Sequence, residues 1–367
     1  MRPNRLLVLV ASIMLPFTLG LLQAKPIPPN KKAEPAPVFK PIEIKNELDQ
    51  NDPKDEKLNN PSKKYTVKLH KHKTYVIDLI SADFDAYLRL LDKKGKQLAE
   101  DDDGGGDLNS RIIHSAGGTG DHQIVATSLD GQVGKFTLTV RELNIQGEAK
   151  ARKLGKHGLT INDEIGQNDA SDLDKLTKVL SVELKAGHSY VFDIEAQDFD
   201  GHLYVFDGKS KLLGQDLAKV IHAPAADGVH HLVVKSFDGQ LGKFELKVRE
   251  FTLKGEGKPR EIGKDGLKIT DQIGNNDTSA IGKLGKVYSV QLKAGQTYTI
   301  DLESQTLDSY LYLFDSKSTL LALDDDSGGD LNSRITFRVE RDGVFHILAT
   351  TLDGNDTGEF TLKVRKN

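Results

Sequence analysis

Thr74-Tyr75-Val76-Ile77-Asp78-Leu79 returns as Ser189-Tyr190-Val191-Phe192-Asp193-Ile194, and again as Thr297-Tyr298-Thr299-Ile300-Asp301-Leu302. Successive side chains of a strand point to opposite faces. Tyr75, Ile77 and Leu79 therefore share one apolar face, as do Tyr190, Phe192 and Ile194, and Tyr298, Ile300 and Leu302. The same alternation sends Asp78, Asp193 and Asp301 to the other face. There they are expected to be exposed, with no acid–base role.

Working outward, other segments recur in register. Asp85-Ala86-Tyr87-Leu88 matches Asp200-Gly201-His202-Leu203 and Asp308-Ser309-Tyr310-Leu311. Gly134-Lys135-Phe136, Gly242-Lys243-Phe244 and Gly358-Glu359-Phe360 each open a second alternating run. Ile44, Leu48, Asn51 and Asp52 match Ile161, Ile165, Asn168 and Asp169, then Ile269, Ile273, Asn276 and Asp277. The period of roughly 110 residues is too long for a solenoid and has the size of an independent domain. Three domains are expected at 40–143, 155–252 and 262–367. Strands are short and end at turn dipeptides such as Asp130-Gly131, Asp238-Gly239 and Asp353-Gly354. No segment has a helical period. The expected fold class is all-β: three tandem, jelly-roll-like antiparallel β-sandwiches.

The 367-residue chain has no Cys, no Trp and a net charge of −4. Disulfide scaffolds, thiolate metal sites and cysteine nucleophiles are excluded. The charge argues against nucleic acid as a partner. Arg2 and Arg5 precede an apolar run from Leu6 to Leu22, with Ala24 at its exit. Residues 1–24 are read as a signal peptide, and no membrane insertion is expected after cleavage. Residues 25–39 are rich in Pro and read as an extended tether. The connectors Gln146–Lys156 and Gly255–Lys264, rich in Gly, Lys and Glu, read as linkers. The expected location is secreted or periplasmic.

The repeated order Y-x-x-D-L, D-x-Y-L, an Asp-rich Gly turn, L-N-S-R-I and G-x-F-x-L-x-V resembles the bacterial pre-peptidase C-terminal domain. That family is related to the collagen-binding domains of clostridial collagenases. The resemblance runs through three copies, of which the second is degenerate. It implies sandwich modules, generally not catalytic, appended to exported proteins, some similar to modules that bind calcium and insoluble polymers.

Two sets of residues are candidate metal ligands. Asp101, Asp102, Asp103, Asp107 and Asn109 surround a Gly-rich turn and recur as Asp324, Asp325, Asp326, Asp330 and Asn332. Calcium takes six to eight oxygen ligands, which such side chains supply. Ile112 stands at the twelfth position from Asp101, where an EF-hand needs Glu. A bound cation and a solvated acidic turn are both open readings, and the second copy shows that a sandwich forms without the cluster. Glu47, Asp49, Asn51 and Asp52 are similar to a calcium-gathering linker of the collagen-binding relatives. An Asn-Asp turn that starts each module is the other reading.

No zinc-protease, nucleophile-elbow or phosphate-loop motif appears. Residues 122, 230 and 345 align as His, His and Phe, a half-buried sandwich position. Tyr87, Tyr204, Tyr310 and Tyr312 read either as exposed stacking residues or as core. The expected function is a secreted, non-enzymatic binding protein engaging an extracellular polymer, a cell-envelope surface or a protein partner, with calcium as a possible ion. The alternatives are a structural spacer without its own ligand and, last, a cryptic hydrolase.

Overall fold

The computed structural model describes residues 38–255 and 257–367; the segment read as a signal peptide, 1–24, and all but the last residues of the one read as a tether, 25–39, lie outside them. The first strands are β1 (Ile42–Leu48), β2 (Ser62–Leu69), β3 (Thr74–Ile80), β4 (Ala86–Asp92), β5 (Gln97–Asp101), β6 (Ser110–Ser115), β7 (Gly120–Ser128) and β8 (Gly134–Leu143). Next come β9 (Arg152–Lys153), β10 (Leu159–Ile165), β11 (Thr177–Leu184), β12 (Ser189–Ala196), β13 (Gly201–Asp207), β14 (Leu212–Asp216), β15 (Lys219–His222), β16 (Gly228–Ser236) and β17 (Gly242–Phe251). The last are β18 (Arg260–Glu261), β19 (Leu267–Ile273), β20 (Gly285–Leu292), β21 (Thr297–Glu303), β22 (Ser309–Asp315), β23 (Leu320–Asp324), β24 (Ser333–Arg338), β25 (Gly343–Thr351) and β26 (Gly358–Lys366).

The sheets have one plan. In the first sandwich the order β1-β8-β3-β6 faces β2-β7-β4-β5, all antiparallel. That interleaving of eight strands into two four-stranded sheets is a jelly roll. The second sandwich repeats it as β10-β17-β12-β15 and β14-β13-β16-β11, and the third as β19-β26-β21-β24 and β20-β25-β22-β23. These two add a short parallel edge strand, β9 on β11 and β18 on β20.

Each sandwich closes over its own apolar core. Tyr75, Ile77 and Leu79 meet Leu88, Leu90, Ile124 and Leu138 in the first. Tyr190, Phe192 and Ile194 meet Leu203, Val205 and Leu246 in the second, and Tyr298, Ile300 and Leu302 meet Leu311, Leu313 and Leu362 in the third. The apolar half of the period-two reading is thus correct. Burying each of these large side chains contributes about 1.5–3 kcal/mol.

The chain divides into two compact units. One comprises residues up to 145 together with 209–212, and the other comprises 146–208 and 213–367. The connectors are not free linkers. Residues 152–153 and 260–261 are the edge strands β9 and β18. Glu148 receives hydrogen bonds from Arg152 and from the Ser181 amide. Composition misled here, because Gly and Glu serve packing in these segments.

Candidate functional site

The acidic loop of the first sandwich joins β5 to β6. Asp101 ends β5, and its carboxylate turns back into the loop. Its Oδ2 accepts the amide of Gly104 at 2.8 Å and that of Arg111 at 2.7 Å. Asn109 holds the other side. Its Nδ2 donates to the Gly106 carbonyl at 3.0 Å, and its Oδ1 accepts the Ser81 amide at 3.0 Å. The Gly105 amide donates to the Asn109 carbonyl at 2.8 Å. A Cβ at Gly105 would stand 2.6 Å from that carbonyl oxygen, so only glycine fits.

The third sandwich builds the same loop. Asp324 Oδ2 accepts the amides of Ser327 and Arg334, and Asn332 spans Ser304 and Gly329. Gly328 is as crowded as Gly105, and Gly106 and Gly329 have φ of 94° and 92°. Asp101, Asn109, Asp324 and Asn332 therefore hold the loop in shape. Asp102, Asp103 and Asp107, with Asp325, Asp326 and Asp330, remain as its outward charges.

Those charges act on one another. Burial first, then Asp102, Asp130 and Asp103, raises the pKa of Asp85. Burial, then Asp353, Asp326 and Asp356, raises that of Asp308. The Asp101 carboxyl is pushed up to about 7, chiefly by burial, with Asp102 and Asp103 adding repulsion against its two amide bonds. The donors are hard oxygens and suit calcium in kind. Among the described residues no group of three or more His, Cys, Asp or Glu side chains converges closely enough to hold a metal ion by those side chains alone.

The second candidate set is used internally. Asp52 Oδ2 accepts the Asp49 amide at 2.8 Å, and its Oδ1 pairs with Lys63 at 2.7 Å. Asn51 donates twice to Asp49 Oδ1, and Glu47 is exposed on β1. The same turn recurs where Asp169 accepts the Gly166 amide beside Lys178, and where Asp277 accepts the Gly274 amide beside Lys286. Its repetition in all three sandwiches makes it a module-starting turn.

The aspartates expected to be exposed are not. Asp78 and Asp301 are buried, at 6% and 1% exposure, and Asp193 is half-buried. Asp78 pairs with Arg111 at 2.5 Å and Asp301 with Arg334 and Arg365 at 2.5 and 2.6 Å, while Asp193 pairs with Lys219. Arg111, Lys219 and Arg334 are their cross-strand neighbours. Long cations from the next strand thus cover what alternation assigned to water.

The tyrosines are also buried. Tyr87, Tyr204, Tyr310 and Tyr312 are all at or below 5% exposure, which leaves none of them as an open stacking platform. Tyr87 donates to Glu100 at 2.5 Å, and Glu100 also binds Lys57. Residues 122, 230 and 345 pack against 114, 222 and 337, as two His–His pairs and one Phe–Phe pair.

Sequence reasoning missed one constellation. Ser181 Oγ stands 3.0 Å from His231 Nδ1, and Ser289 Oγ 3.1 Å from His346 Nδ1. That is the distance of a nucleophile and its base. Neither serine is open to a substrate. Ser181 is fully buried and accepts the Glu148 amide, and Gly147 and Gly255 lie directly over the two pairs. The alignment of Ser181 with Ser289 and of His231 with His346 was the available signal.

With fold and loops in view, the class is an all-β chain of jelly-roll sandwiches. Residues 285–351, from the first residue of β20 to the last of β25, match the family model of the bacterial pre-peptidase C-terminal domain. No match was found among curated proteins. Solved structures share the β architecture at low similarity. The CUB1-EGF-CUB2 domain of human MASP-1/3 is 10% identical with a TM-score of 0.18, covering 57% of this chain and 99% of its own. The M60 catalytic domain with CBM51-1 and CBM51-2 of Clostridium perfringens ZmpB is 8% identical with a TM-score of 0.21, covering 84% and 34%. A triple-jelly-roll turret protein of an archaeal virus is 11% identical with a TM-score of 0.18, covering 84% and 82%. No helix among the described residues is long and apolar enough to cross a membrane.

Proposed function

We propose that the chain is a secreted or periplasmic, non-enzymatic binding protein made of three pre-peptidase C-terminal-type modules. The match over residues 285–351 carries this reading. The shared strand order extends it to the other two sandwiches. Burial of both Ser–His pairs supports the absence of catalysis. The ligand is an extracellular polymer, an envelope surface or a protein partner, engaged with the avidity of several linked modules. Calcium serves as an exchangeable counter-ion of the two acidic loops.

Co-sedimentation with insoluble collagen, cellulose, chitin and peptidoglycan tests the binding. Retention on one polymer, competed by its soluble form, is expected. Failure on all four removes the polymer reading and favours an accessory spacer. For the ion, millimolar calcium is expected to raise the unfolding midpoint by a few degrees over chelator, as any ligand of the native state must. The gain should vanish in a chain carrying Asp102→Asn, Asp103→Asn, Asp325→Asn and Asp326→Asn. An equal midpoint with and without calcium in the unaltered chain would sink the counter-ion role.

A further inference from the structure

The end of β17 and the residues just after it pack against the third sandwich. Phe251 and Leu253 are buried with Ile281, Tyr310, Tyr312, Phe314 and Leu348, all in the second compact unit. The Phe251 and Phe314 rings meet edge-on at 6.1 Å. Arg249 donates to the carbonyl of Ala280. The Leu253 amide donates to Ser318 Oγ at 2.8 Å, deep in the interface.

Ser318 is an unusual receptor. It sits in a left-handed turn with φ of 65°, where glycine is the cheap choice. The corresponding turn of the first sandwich has glycine, Gly95 at φ of 82°. Ser210 takes that place in the second repeat, again at positive φ, and accepts the Ile145 amide at 2.7 Å within the first unit. Where the turn residue is serine, its hydroxyl receives a main-chain amide from a segment about 65 residues earlier in the chain. Backbone strain is tolerated for the hydroxyl.

The chain beyond Leu253 is fixed as well. A Cβ on Gly255 would fall 1.7 Å from Ser289 Oγ, so the main chain passes directly over the Ser289–His346 pair. Residues 260–261 then join the sheet as β18. The matching positions of the third sandwich are polar. Thr299 and Asn367 occupy the places of Val191 and Phe251, and they hydrogen-bond each other at 3.0 Å.

We propose that residues 249–253 are a built-in ligand, and that the tyrosine face of the third sandwich with Ser318 is its receptor. The joint is rigid and one-way: the second sandwich donates and the third accepts. The Ser–His pairs act as clasps for the connector, not as catalytic groups.

Two measurements on the full-length chain test this. Ser318→Gly keeps the left-handed turn and relieves its strain, so folding is preserved. Hydrogen exchange at the Leu253 amide should be slow in the unaltered chain and accelerate roughly five- to tenfold in this variant, the worth of one hydrogen bond. Unprotected exchange in the unaltered chain, or unchanged exchange in Ser318→Gly, overturns the latch. The absence of native Cys allows clean spin labelling through Lys185→Cys and Glu340→Cys, both exposed sites. A single narrow distance distribution is expected, broadening when Leu253→Asp is added. A broad distribution before that substitution, or no broadening after it, overturns the rigid joint.

Discussion

Single residues of the acidic loops carry opposite instructions. Gly105 and Gly328 have no room for a methyl group, so Gly105→Ala or Gly328→Ala should cost about 1–3 kcal/mol, read as a lower midpoint in thermal unfolding. Asp101 makes a pH prediction. Its folded pKa, about 7, lies above its ordinary 3.8, so the folded state holds the proton more tightly. The first sandwich therefore gains stability as pH falls from above 7 toward 3.8. His114 works against this. Burial, then His122, lowers its pKa from 6.5 to about 4, so stability is lost as pH falls through that window. Asp101→Asn should remove the gain and leave a steady decline in urea midpoint below pH 6.5. His114→Phe, the residue pair already used at Phe337 and Phe345, should flatten that decline. A decline unchanged by His114→Phe would assign it elsewhere. The sequence displayed the Asp cluster but not its division of labour. Which carboxylate faces main-chain amides depends on the path of the turn, and no spacing rule reveals that.

Elements were legible where one face meets a core and the other meets water. The alternation on β8, β17 and β26 gave Phe136, Phe244 and Phe360 their inward faces correctly. It failed on β3 and β21, whose other faces are covered by flanking side chains. Asp78 and Asp301 are the cost of that failure: both carboxylates were read as solvated and are buried, Asp78 against the largely buried Arg111 and Asp301 beneath Arg334 and Arg365, whose side chains stay about half exposed. Removing one partner of a buried pair strands the other charge. Asp78→Ala leaves the largely buried Arg111 without this carboxylate and is expected to destabilise the first sandwich by about 3–5 kcal/mol, measured by urea unfolding. A loss under 1 kcal/mol would mean that Arg111 simply turns to solvent. The β2-side loop offers a parallel case. Asp55 and Arg89 are both buried and paired, and Asp55→Ala should cost a similar amount in the first sandwich.

At the scale of the molecule, internal repetition disclosed the number and class of the sandwiches, because three copies of one pattern act as their own comparison. It did not disclose how consecutive copies meet. The residues concerned, Phe251, Leu253 and Ser318, lie at the ends of the repeats, where the copies differ. The connectors were misread for the same reason, since Gly147 and Gly255 look like flexibility in a composition and are close packing in the fold. The connector after Leu253 has a mechanical consequence. A string of domains on loose tethers lengthens under small pulling forces by taking up slack. This connector is anchored at both ends: the Leu253 amide bonds Ser318 in the interior, and Arg260–Glu261 pair as a sheet strand. Under tension, the bond from Leu253 to Ser318 and the β18–β20 pairing would have to break before the second and third sandwiches could separate.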